Sequence, residues 1–256
     1  MTVAVRNVSV PFSVRSVDEA VKPVKEIAKR IGQPTRTDYK SGMFIPKYDG
    51  EPVEGFTDYK DEGYVAQLTD PQNDMLAQEI TKRFGSQFIP LAPQTSYDKS
   101  YRDKNHRKFL EKFWTPNGVL ISQEGFVIAS PTVEVKDGKF VYSGEKKEVQ
   151  IKEDDGVIDV LERVGLFKRS KNKVYNGRIR FENGLSSVRS GWLRGGGCFD
   201  AGADGPSGWD DDGVSAFELV DPKEKAKLEK PKVRQVDEQE YKEFIEWKNN
   251  RTSKPV

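Results

Sequence analysis

Hydrophobic positions recur with a helical period in the first part of the chain and with short, strand-like rhythms from residue 118 onward. Ala20, Val21, Val24, Ile27, Ala28 and Ile31 share one face, preceded by a Ser16/Glu19 capping pair and stopped by Gly32 and Pro34. Pro23 interrupts this run, and a start at Pro23, with proline in the first turn, is the alternative. A second helix opens at Thr69-Asp70-Pro71, a cap followed by proline, carries Met75, Leu76, Ile80 and Phe84, and stops at Gly85. A third spans Tyr97 to Trp114, with Tyr101, Phe109, Leu110 and Phe113 as apolar positions, and ends at Thr115-Pro116-Asn117-Gly118. Residues 33–63 mix turn formers and aromatics without a sustained period, and read as an arm or a long ordered loop.

Beyond Gly118 the apolar runs shorten and glycine punctuates them. Residues 119–122 and 126–129 read as a hairpin, as do 133–135 and 139–142 around Asp137-Gly138. A short helix fits 157–164, between Asp154-Asp155 and Gly165. Residues 174–181 predict a hairpin around Asn176-Gly177, the pair a type I′ turn favours. Apolar runs at 188–193 and 214–220 complete a mainly antiparallel sheet, and a charged stretch, 223–232, leads to a last helix. That helix has Asp237 and Glu240 at its start and a narrow stripe of Tyr241, Phe244 and Ile245. The expected fold is α+β: a helical, arm-rich region over 1–117, an antiparallel β domain over 118–222, and a charged linker with a C-terminal helix over 223–256.

Composition narrows the chemistry. The 256 residues are 35% hydrophobic and 32% charged, with 42 basic against 41 acidic residues. A net charge of +1 argues against the disorder of uncompensated charge and against a partner drawn by global charge. One cysteine, Cys198, and one histidine, His106, exclude an internal disulfide and a four-ligand zinc site. As a nucleophilic pair they are poorly set, Cys198 beside acids and His106 in a basic run. No basic segment followed by an apolar run opens the chain, and no apolar stretch is long enough for a membrane span. The expected location is the cytoplasm or a virion, without a membrane and without a cleavable export signal.

Local charge is uneven. Residues 163–194 hold nine basic residues and one acidic, whereas 195–222 hold seven acidic residues and none basic. Lys168, Arg169, Lys171, Arg178 and Arg180, interleaved with Tyr175 and Phe181, offer cations for phosphates and rings for bases, a candidate single-stranded nucleic-acid surface. Asp200, Asp204, Asp210, Asp211 and Asp212 lie in a glycine-rich stretch, a candidate site for calcium or magnesium and, with it, for metal-assisted hydrolysis. Their spacing departs from an EF-hand loop. No constellation of catalytic residues assembles from the sequence. The primary expectation is therefore a non-catalytic structural or assembly subunit of a larger complex, of which a virion is one kind, with other protein subunits as partners. Nucleic-acid binding and hydrolysis are the alternatives.

Overall fold

The computed structural model describes residues 7–12, 17–59, 62–205 and 213–220. Residues 1–220 form one unit and 221–256 a second; the latter, with the expected linker and C-terminal helix, lies outside the described residues. Strand β1 (Asn7–Phe12) leads to helices α1 (Val17–Arg30) and α2 (Arg36–Ser41). Strands β2 (Met43–Phe44), β3 (Lys47–Tyr48), β4 (Phe56–Asp58) and β5 (Tyr64–Leu68) precede α3 (Asp70–Phe84) and β6 (Gln87–Pro90). Helices α4 (Pro93–Arg102) and α5 (Lys104–Lys112) are followed by β7 (Thr115–Ser122), β8 (Phe126–Ala129), β9 (Thr132–Lys136) and β10 (Lys139–Glu148). Helix α6 (Val157–Arg163) then leads to β11 (Val174–Ile179), β12 (Leu185–Leu193), β13 (Cys198–Asp204), β14 (Gly213–Val214) and β15 (Phe217–Val220).

Eight strands make the main sheet, in the order β1-β10-β8-β7-β12-β13-β11 with β9 paired to β10. All its pairings are antiparallel except β11 with β13, which is parallel. Helices α4 to α6 cover one face, packing Tyr97, Phe109, Leu110, Ile158 and Leu161 against Val119, Ile121, Val188, Phe199 and Ala201. On the other face Ala20 of α1 meets Leu120, Phe126, Ile128, Phe140, Tyr142 and Leu185. Strand β7 is buried along its whole length, as a central strand covered on both faces must be. Helix α3 opens with its cap in place, the Gln72 side-chain oxygen accepting from the Thr69 backbone N–H at 3.0 Å, and ends at Gly85 with φ of 70°.

Of the two readings of the first helix the longer holds: α1 begins at Val17 and runs through Pro23, because burial of Ala20, Val24, Ile27 and Ala28 outweighs the lost backbone bond. Other expectations are corrected. The third helix breaks in two at Asp103, which adopts an extended conformation and accepts through Oδ1 from the Asn105 N–H at 2.8 Å. Thr115 to Gly118 open β7 instead of forming a turn.

The expected arm is not free. Strands β3 and β4 pair with β5, and β2 pairs with β15. Phe44 is buried among Phe84 and Phe88. Strands of two or three residues are too short to show an alternating pattern, which is why the sequence reads as structureless there.

Residues 174–181 are not a hairpin: Asn176 and Gly177 lie inside the single strand β11. The Asn176 amide holds the start of α6, its Oδ1 accepting from the Ile158 N–H at 2.8 Å and its Nδ2 donating to Asp159 Oδ2 at 2.5 Å. Gly177 is required because a Cβ there would stand 2.4 Å from the Ala201 carbonyl oxygen. Nor do residues 214–220 extend the main sheet. Strand β14 pairs with β5, and β15 with β2 and β6, so strands from both sides of residue 117 share small sheets.

Candidate functional site

At one end of the main sheet β12, β13 and β11 lie side by side. Val188 of β12 and Phe199, Ala201 and Ala203 of β13 enter the core, with Val174 and Ile179 of β11 packed against them. Side chains alternate along a strand, so the residues between these form the opposite face: Ser187, Arg189, Gly191 and Leu193; Asp200, Gly202 and Asp204; and Tyr175. Gly191, Asp200 and Tyr175 are direct cross-strand neighbours. A Cβ on Gly191 would stand 3.1 Å from the Trp114 ring, so the indole lies over this glycine.

Five large hydrophobic side chains are exposed among the described residues, and three belong to this face: Trp114 at 45%, Tyr175 at 52% and Leu193 at 38%. The other two are Tyr39 and Val135. Asp200 is buried, and burial pushes its carboxyl up to about 6. Arg180, just past β11, reaches Asp204 at 3.6 Å. The basic and acidic segments of the sequence thus meet on neighbouring strands.

Lys168, Lys171, Tyr175, Arg178 and Arg180 are exposed. Arg169 is paired with Asp159 at 2.7 Å and Glu162 at 3.1 Å. Phe181 is half-buried against the core. Of the acidic set, Asp200 and Asp204 share the open face, while Asp210, Asp211 and Asp212 lie outside the described residues. Among the described residues no group of three His, Cys, Asp or Glu side chains is arranged to hold a metal ion.

Next to Trp114 a cleft of about 320 Å³ is lined by Gln67, Lys112, Arg189, Gly202 and Asp204. Arg189 is 6% exposed, and its Nε donates to both carboxylate oxygens of Asp70 at 3.2 Å. Burial raises the Asp70 carboxyl above its ordinary range, and the Arg189 guanidinium offsets only part of that rise. Lys112 donates to the Asp58 carbonyl at 2.9 Å and lies over the rings of Tyr59 and Phe113. Sequence reasoning assigned Arg189 to the basic stretch and Asp70 to a helix cap; the one signal of their pairing was an arginine inside an apolar strand run.

His106 meets a serine hydroxyl. Its Nε2 lies 3.2 Å from Ser96 Oγ, both residues are buried, and the ring stacks on Phe109. Burial, then the charge of Lys99, lowers it to about 4. Among the described residues no helix is long and apolar enough to cross a membrane. No protein-family model, curated protein or solved structure matches the chain, so its site is read from its own chemistry.

Proposed function

We propose that the protein is a non-catalytic assembly subunit that joins a second copy of itself through the open face of β12, β13 and β11. The observation that carries this reading is the grouping of Trp114, Tyr175 and Leu193, exposed together on one sheet face. Aromatic anchors flanked by charge are what interface centres use. Charge complementarity supports a second copy as the occupant. Exposed Arg178 and Arg180 sit on the β11 side, and half-exposed Asp204 beside them on β13. Across a two-fold axis the basic side of one copy meets the acidic side of the other. A net charge of +1 leaves little global repulsion between copies. Strands β2, β3 and β4 are already paired within their own chain.

The test is native mass across a wide concentration range. The wild-type chain is expected to dimerise, and Trp114→Ala with Tyr175→Ala to shift it to a monomer that keeps its far-ultraviolet circular dichroism. A monomer at every concentration, or a dimer untouched by both substitutions, overturns the proposal. Salt-dependent oligonucleotide binding lost in Arg178→Glu, without dimerisation, would assign the face to nucleic acid instead.

A further inference from the structure

The first turns of α3 carry a second polar concentration, inside the protein. Asp70, Asn73 and Asp74 fall at positions i, i+3 and i+4, one face of the helix, and are 2%, 0% and 4% exposed. That face is turned to the main sheet, where Tyr142 of β10 is fully buried in the cluster against which Met75 of α3 packs. Gln78, one turn beyond Asp74 on α3, donates to the Val133 carbonyl at 3.3 Å, and Val133 is the cross-strand partner of Tyr142; burial, then the carboxylates of Asp74 and Asp70, raises the Tyr142 phenol well above its ordinary range. Asp70 is matched by Arg189. Asp74 is not: its Oδ1, both side-chain atoms of Asn73 and the Tyr142 hydroxyl have no hydrogen-bond partner.

Interiors do not leave such groups empty-handed. A buried polar atom without a partner costs about 1–3 kcal/mol, and an isolated buried carboxylate costs far more, so it is neutralised or matched by a cation. Asp74 stands a turn inside α3, past the free N–H groups that favour an anion at a helix start. Burial, then the charge of Asp70, raises the Asp74 carboxyl well above its ordinary range, so the rival to a bound cation is a protonated Asp74 among buried waters. We propose that Asp74, Asn73 and Tyr142 hold a hard monovalent cation, sodium or potassium, between α3 and the main sheet. The donors are all oxygens, as hard cations require. One positive charge balances Asp70, Asp74 and Arg189, whereas a divalent ion would leave an excess. This site is separate from the open face and does not depend on dimerisation.

The experiment is thermal unfolding of the full chain at fixed ionic strength, with tetramethylammonium chloride replaced stepwise by sodium or potassium chloride. The expected result is a saturable rise in melting temperature, about 3–5 °C at ten times the dissociation constant. Asp74→Asn and, separately, Asn73→Leu should abolish it; the second variant reads the site should the first fail to fold. No rise with either cation, or a rise that survives in both variants, overturns the proposal and leaves Asp74 protonated among waters. A rise with magnesium or calcium alone overturns the monovalent assignment.

Discussion

Asp200 separates two ways of being acidic on one strand. Asp204, four residues on, is half exposed beside Arg180, whereas Asp200 is buried and holds its proton up to about 6. The folded state therefore binds the proton more tightly than the unfolded chain, whose aspartates titrate near ~3.9. The stabilising contribution is complete below that value and is lost as pH rises through about 6. Denaturant unfolding from pH 4 to 7 should show the wild type losing stability relative to Asp200→Asn, and parallel curves would refute the assignment. None of this was legible in the sequence, where Asp200 and Asp204 are equivalent members of an acidic stretch. Composition and spacing count charges without saying which face of a strand each occupies. Asp70 illustrates the same limit: its place at the start of α3 was readable, whereas its partner Arg189 comes from a strand more than a hundred residues away.

Elements with strong local signals were readable: α3 between Thr69 and Gly85, α6, and the hairpins β7–β8 and β9–β10. The failure at Asn176-Gly177 is instructive because the local signal was equally strong. Tertiary demands claimed both residues, the amide for the start of α6 and the missing side chain for close approach to β13. A strand reading and a turn reading make opposite predictions. Within β11, Asn176→Ala should cost about 1–2 kcal/mol by uncapping α6, and Gly177→Ala about 1–3 kcal/mol by overpacking against Ala201. In an exposed two-residue turn, Asn176→Ala would disturb α6 not at all. Amide hydrogen exchange in residues 157–163 distinguishes the two, since only the strand reading predicts faster exchange there in Asn176→Ala.

For the molecule as a whole, the boundary the sequence suggested near residue 117 is crossed by strands from both sides. Phe217 is fully buried in the cluster that α1, α3 and β6 contribute to, with Val24, Ile27, Leu76 and Phe88 as neighbours in it. Phe217→Ala should cost about 3–5 kcal/mol and lower a single transition seen alike by far-ultraviolet circular dichroism and tryptophan fluorescence. Two separable transitions, with only one of them moved, would restore independent domains. The small sheets also impose an order on synthesis. Met43 and Phe44 wait for β15, and the first hundred residues leave the ribosome long before Phe217 and its neighbours are made. Closing such distant pairs is slow, and until then Phe44, Phe84 and Phe88 lack their last covering strand. The nascent chain thus carries an exposed aromatic cluster through most of its translation, and this makes the N-terminal third the segment most in need of a chaperone's protection.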